Sequence, residues 1–362
     1  MRDEMTGALQ RVAMGLILCL SFASVSLAHE SPGYAHDARV LTRNPDWMGK
    51  LKDEVKLSQL SIPGTHDTMS RFGGPIVETQ TLTLANQLES GIRVFDMRCR
   101  HVRYNPDHYT FAMVHGSVHQ NAFFDDVLND TVRFLNAHKG ETVLMRVVPA
   151  GTPQNIPPGR TFEMTFRERY WNNPAWKDYF WQGTGQLNPT LGQMRGKIVV
   201  LQQFDSPRSY GIPYTSFDIQ DEYRLRTNSD LYAKWTHVLT YIRKANVSSE
   251  NRTFMNYLSG STGAFPYFVA SGHSNPATGA PRLPTGLTTP GWRNTWLDFP
   301  RVNCWRAFWT NFCTIAFEGT NILTYEHLRN NNRPVGVIMS DFPGPGLIAE
   351  VIVRNDRYRN RK

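Results

Sequence analysis

Short apolar runs rich in Val, Ile and Leu recur at Lys56–Ile62, Gly91–Arg98, Tyr109–His115, Glu141–Val148, Gly196–Phe204, Phe265–Ser271 and Arg333–Asp341. Runs of this length fit strands buried on both faces, as in a parallel sheet. Between them the period changes. Phe124, Val127, Leu128, Thr131 and Leu135 share a face at helical spacing, with Gly140 as the stop. Leu231, Trp235, Val238, Leu239 and Ile242 make a second such face, and Leu347, Ile348, Val351 and Ile352 a third. Strand-then-helix alternation sustained in this way predicts an α/β barrel. The competing doubly wound sheet lacks support, because neither a Gly-rich dinucleotide fingerprint nor a Walker-type phosphate loop is present. Residues 272–290 are dominated by Gly, Pro and Thr and read as a long loop, and no internal repeat is visible.

The two ends break this pattern. Arg2 and Arg11 flank a polar start, Val12 to Leu20 is apolar, and Ser26-Leu27-Ala28 has the small-x-small form of a signal-peptidase site. The apolar core is too short to span a bilayer comfortably, and Leu18 before Cys19 argues against a lipoprotein anchor. The expected organisation is a signal peptide over 1–28, an N-terminal extension over 29–50, one barrel over 51–353, and a solvated basic tail over 354–362. A buried N-terminal helix is the alternative reading of the first segment. On the first reading the protein is secreted, and it is soluble once exported, because no other stretch is long and apolar enough to span a membrane.

Composition narrows the class. Of 362 residues, 40% are hydrophobic and 12% aromatic, which excludes a disordered chain. The net charge of +8 suits anionic partners, whether nucleic acid, anionic lipid or a phosphorylated substrate, without choosing among them. Four cysteines with no CxxC exclude a disulfide-built scaffold and a zinc ribbon. Export would leave Cys99, Cys304 and Cys313. Cys304 and Cys313 are close enough in sequence for a local bridge, which the sequence leaves open, and Cys99 reads as a buried thiol.

The candidate chemistry lies at strand ends. Ser61-Ile-Pro-Gly-Thr-His-Asp67 follows the first run, so a Pro63–Gly64 turn presents His66 and Asp67. In Gly91-Ile-Arg-Val-Phe-Asp-Met-Arg98, alternation puts Asp96, Arg98 and Arg100 on one face. Asp and Arg on one interior face are costly unless they pair. Val114-His115-Gly116 ends the next run and Asp341 ends the last. Barrel sites assemble from the C-terminal ends of several strands. Two histidines, an arginine and carboxylates there suit phosphodiester transesterification. One His serves as base, the other as acid, Arg binds the phosphoryl oxygens, and a carboxylate sets the base's tautomer.

The segments LSQLSIPGTHDT, GIRVFDMRCR, MVHG, ETVLMRVV and VIMSDF resemble the phosphatidylinositol-specific phospholipase C family, in particular the X domain of the secreted bacterial enzymes. The resemblance spans Leu51 to Ile352 and implies a single distorted (β/α) TIM-like barrel. It implies His66 as the general base on the inositol 2-hydroxyl, His115 as the general acid toward the diacylglycerol oxygen, and Arg98 as the phosphate ligand. Asp67 would work with Arg98 and the acid, and Asp341 would orient the base. The implied activity is that of a phosphatidylinositol diacylglycerol-lyase, releasing diacylglycerol and a cyclic inositol phosphate. Calcium-dependent relatives place an acidic ligand at position 98 and Asn at position 67. Arg98 and Asp67 therefore imply no metal and no other cofactor.

The resemblance is incomplete. The bacterial enzymes carry Lys and Glu after the strand matching Glu141–Val148, where this chain has Val148-Pro149-Ala150, and a basic residue expected near Gln203 is absent. Arg146 points to the same face as Val148 and offers a charge from deeper in the barrel. Asp221 and Tyr223 fit the family's inositol-contacting Asp and aromatic platform. The implied partner is phosphatidylinositol in a membrane contacted peripherally, with glycosylphosphatidylinositol anchors as an extension and no nucleic acid. Aromatic clusters at Tyr170–Trp171, Trp176 to Trp181, Trp292 with Trp296, and Trp305 to Trp309 are candidates for interfacial insertion or for core packing. Two competing readings are a metal-dependent glycerophosphodiester-type phosphodiesterase and a catalytically inactive lipid-binding barrel. Arg98 weighs against the first, and the full residue set against the second.

Overall fold

The computed structural model describes residues 30–183, 185–248 and 252–360, so the expected signal segment lies outside the described residues. In chain order the strands are β1 (Ile62–Thr65), β2 (Val94–Asn105), β3 (His108–His115), β4 (Val118–Phe123), β5 (Val143–Pro149), β6 (Ile198–Gln202), β7 (Ile212–Pro213), β8 (Asp218–Gln220), β9 (Arg224–Leu225), β10 (Phe254–Tyr257), β11 (Ser261–Thr262), β12 (Pro284–Thr288), β13 (Arg301–Ala307), β14 (Thr310–Ala316) and β15 (Val337–Ser340). The α-helices are α1 (Leu84–Ser90), α2 (Phe124–Ala137), α3 (Phe162–Thr165), α4 (Leu191–Met194), α5 (Leu231–Ser248), α6 (Pro266–Ser271), α7 (Thr320–Arg329) and α8 (Pro345–Val353).

The main sheet runs β7-β6-β5-β2-β1-β15-β10-β8, and each of these neighbouring pairs is parallel. It curls into a distorted α/β barrel. The two edge strands are joined through the chain by the turn Tyr214–Ser216, and the Tyr214 hydroxyl meets that of Tyr257 at 2.8 Å. Central strands are buried on both faces: Val94, Phe95 and Met97 are fully covered, as are Val143, Leu144 and Met145. Gly64 is required where β1 is wedged in, since a Cβ there would come within 2.4 Å of the Met339 sulfur. The expected helical faces of α2 and α8 are buried, and so is that of α5 apart from the half-buried Leu239. No helix among the described residues is long and apolar enough to cross a membrane.

Several expectations are corrected. Phe265–Ser271 is not a strand: Pro266 starts helix α6 and Gly272, at φ 71°, closes it. A short apolar run fits either state, and here the Pro and Gly at its ends decided. Leu57–Gln59 forms a 3-10 turn, so β1 begins only at Ile62. Tyr109–His115 pairs antiparallel with β2 as a hairpin outside the parallel ring. The stretch 272–290 contains β12, which joins β13 and β14 in an antiparallel sheet braced by a Cys304–Cys313 disulfide. Cys99 is a buried free thiol. The tail is not solvated at its start: Arg354 and Asn355 are buried, and Asn355 bonds both backbone groups of Ser61.

Candidate active site

His66 leaves β1 at its C-terminal end, where Asp67 adopts a left-handed φ of 39°. This strained turn is held by Ser70 N and the Thr79 hydroxyl, both donating to Asp67 O, and it aims both side chains into the barrel mouth. At the end of β15, Asp341 Oδ1 accepts a hydrogen bond from His66 Nδ1 at 2.9 Å. That bond selects the Nδ1–H tautomer and leaves Nε2 facing Asp67 Oδ2 at 3.6 Å. His115, at the end of β3, donates from Nδ1 to Val77 O at 2.6 Å. Its Nε2 lies 3.5 Å from the same Asp67 Oδ2. The reactive nitrogens of the two histidines thus flank one carboxylate oxygen.

Arg98 lies beside them. Its Nε is 2.8 Å from Asp67 Oδ1, and Nη2 donates to Asp96 Oδ2 at 3.0 Å. About 30% of its side chain stays exposed, so donors remain for a ligand. Arg146 reaches in from β5, donating to Asp96 Oδ1 at 3.0 Å and to Gln203 Oε1 at 2.6 Å. Arg146 thus places a guanidinium beside Gln203. Asp221 and Tyr223 follow β8 and are exposed, and Tyr223 Oη accepts from Arg224. No hydrogen bond or ion pair joins either residue to the histidine cluster among the described residues.

Electrostatics follow from this packing. Burial alone would lower the His66 pKa, but Asp67 and then Asp341 outweigh it and raise it to about 9. Burial opposes ionisation of Asp96, yet Arg146 and Arg98 hold it well below the usual carboxylate range. Burial raises Asp341. His66, Asp67 and Asp96 turn ligand atoms within 4.8 Å of one another, a grouping that would suit a cation. Both carboxylates are also ion-paired with guanidinium groups, Asp67 with Arg98 and Asp96 with Arg98 and Arg146.

Sequence reasoning missed three contributors. Tyr257 packs edge-on to His66 with ring centroids 5.9 Å apart and accepts from Arg146 at 3.2 Å. It lies on β10, whose four residues are too few to show a pattern. Val77 O orients His115 through the backbone, which leaves no signal in sequence. Lys234 on α5 is buried, with Nζ donating to Gln220 Oε1 at 3.2 Å, and burial outweighs Asp221, Asp341 and Glu222 to lower its pKa to about 7. Beside His115 opens a groove of about 430 Å³ walled by Ile76, Thr262, Ala264 and Phe265.

Fold and site together define an α/β barrel whose mouth gathers two histidines, an arginine and three carboxylates. Residues 55–204 match the family described as "Phosphatidylinositol-specific phospholipase C, X domain". It is 28% identical over 306 residues to a Staphylococcus aureus 1-phosphatidylinositol phosphodiesterase, covering 75% of this chain and 90% of that one. It is 29% identical over 239 residues to the Listeria monocytogenes protein of the same name, covering 60% and 69%. Among solved structures, a Staphylococcus aureus phosphatidylinositol-specific phospholipase C superposes with TM-score 0.60 at 22% identity, over 86% of this chain and 98% of that one. The Listeria monocytogenes enzyme does so with TM-score 0.58 at 24% identity, over 89% and 100%.

Proposed function

We propose that this protein is a phosphatidylinositol diacylglycerol-lyase acting without a metal. The observation that carries the reading is the convergence of His66 and His115 on Asp67, with Arg98 paired to that same carboxylate. A phosphodiester bound to Arg98 lies between the two Nε2 atoms. Neutral His66, held by Asp341, takes the proton from the inositol 2-hydroxyl as its oxygen attacks phosphorus. The imidazolium of His115, stabilised by Asp67, protonates the departing glycerol oxygen. The P–O bond to diacylglycerol breaks as the new one closes a five-membered cyclic phosphate. The groove walled by Ile76 and Phe265 adjoins His115, on the leaving-group side. Asp221, Tyr223 and Arg146 contact the inositol in this reading. Glycosylphosphatidylinositol anchors share the reacting group and are the natural second substrate. The first 28 residues export the protein, which meets its lipid as a peripheral, secreted enzyme.

Phosphorus NMR of the protein with phosphatidylinositol vesicles and excess EDTA tests this. A cyclic inositol phosphate resonance is expected, with rates reduced about 10²- to 10⁴-fold in His66→Ala and His115→Ala. Activity appearing only on adding calcium would overturn the role given to Arg98. A loss under tenfold in either variant would remove that histidine from the reaction.

A further inference from the structure

The segment 31–37 belongs to the N-terminal extension and takes no part in the reaction above, yet it runs antiparallel past the turn that follows β15. That turn begins at Asp341, the carboxylate on His66. Its next residue, Phe342, is buried in a left-handed conformation at φ 46°. A bulky side chain in that region costs energy and persists only where the surroundings fix it. Thr79 O accepts from Phe342 N at 2.9 Å, and Asn321 Nδ2 donates to Asp341 O at 2.7 Å. The strap supplies the remaining constraints. Ala35 N donates to Phe342 O at 3.2 Å, and Tyr34 pairs with Pro343. Gly33 O accepts from Gly344 N, and Pro32 O from Gly346 N and Leu347 N, which lie at the start of α8 where helical N–H groups have no partner within the helix.

Side chains reinforce this backbone contact. Tyr34 is buried, with its ring edge-on to Phe342 at 6.1 Å and its hydroxyl donating to Pro276 O at 2.6 Å. His36 packs on the same phenyl ring at 5.0 Å, and its backbone N donates to Thr278 Oγ1 at 2.8 Å. Gly33 permits the close approach, because a Cβ there would stand 2.9 Å from Asn321 O. We propose that this strap is a positioning element for the base: it fixes the turn after β15 so that Asp341 Oδ1 stays on His66 Nδ1. The effect on turnover rests on the role given to His66 above, whereas the hold of the strap on the ring does not.

The charges facing His66 are Asp67 beside it, Asp341 at the end of β15, and Asp96 and Arg98 on β2. Of these, Asp341 adjoins the residue that the strap binds. Tyr34→Ala in the full chain should move the His66 midpoint, read by imidazole NMR, down from about 9 toward about 6.5. It should also lower the pH-independent kcat about tenfold with KM unchanged. His36→Ala removes only a half-buried ring and should move the midpoint in the same direction, which keeps the test available where Tyr34→Ala fails to fold. Asn355→Ala, which loosens the opposite end of the barrel, should lower the midpoint of urea unfolding while leaving the His66 midpoint unmoved. A wild-type His66 midpoint in the folded strap variants would overturn the proposal and leave the strap a brace for α8. A lowered midpoint with undiminished kcat would uphold the strap's hold on His66 and instead remove His66 as the base.

Discussion

His66 is held between two carboxylates, and its charge decides when the site can work. With its pKa raised to about 9 by Asp67 and Asp341, the ring keeps its proton near neutrality, whereas the role of base proposed above requires it neutral. The acidic limb of kcat/KM against pH should therefore lie above the ordinary histidine value of about 6.5. Imidazole NMR should place the His66 midpoint there too, and Asp341→Asn should bring it down, since one of the two raising charges is lost. A wild-type midpoint at or below 6.5 would contradict the geometry. The sign for stability follows from linkage. A raised folded-state pKa contributes stability that is fully present below about pH 6.5 and is lost as pH rises through about 9. Arg98 makes a different demand. Its Nε and Nη2 both donate to Asp96 while Nε also stands 2.8 Å from Asp67 Oδ1, a planar fork that an ammonium cannot reproduce. Arg98→Lys should lower turnover about 10²-fold or more, and near wild-type rates would remove the fork from the mechanism.

At the scale of elements, β13 and β14 end in a tip where Phe308 is 94% and Trp309 92% exposed. Trp296 and Phe299, just before β13, pack on Tyr232 in the first turn of α5. That turn follows the mouth-side end of β8, so the sheet is anchored near the site entrance. Arg306 lies over Trp309 at 6.0 Å, which combines apolar rings with positive charge as an anionic interface would require. Phe308→Ser with Trp309→Ser should weaken partitioning onto phosphatidylinositol vesicles several-fold while sparing turnover of a soluble, short-chain substrate. Equal loss on both substrates would mean that the tip serves the fold or the site instead. The other aromatic clusters divide unevenly: Tyr170, Trp176, Phe180 and Trp181 are core residues. This division was not legible in the sequence, because an aromatic cluster looks the same whether a partner covers it or not. Elements with long buried runs, such as β5 and β6, were legible from their apolar residues alone. So were His66, Asp67, Arg98, His115 and Asp341, because each sits at the end of such a run. Short β8 and β10 were not, since three or four residues carry no period, and Tyr257 was hidden with them.

Across the whole molecule, catalytic and structural demands fall at opposite ends of the barrel. The mouth holds the strained Asp67, the open groove beside His115 and the paired Arg98. The other end is closed by residues 47–51 together with the last described residues, 355–360. Trp47 Nε1 donates to Gly91 O ahead of β2, and Gly49 N donates to Glu141 ahead of β5. Leu51 bridges to Arg359, and Asn360 N donates to Lys50 O. Glu141 also forms a fully buried ion pair with Arg93 at 2.9 Å. Asn355 is the link whose removal isolates this function. Its side chain accepts from Ser61 N at 2.9 Å and donates to Ser61 O at 2.8 Å, fixing the residue that enters β1. Asn355→Ala would leave a buried N–H and carbonyl unpaired at about 1–3 kcal/mol each. The midpoint of urea unfolding should fall accordingly, with kcat of the folded fraction unchanged, because the mouth residues keep their own partners. A fall in kcat without loss of stability would instead show that the start of β1 transmits strain to His66 at its end.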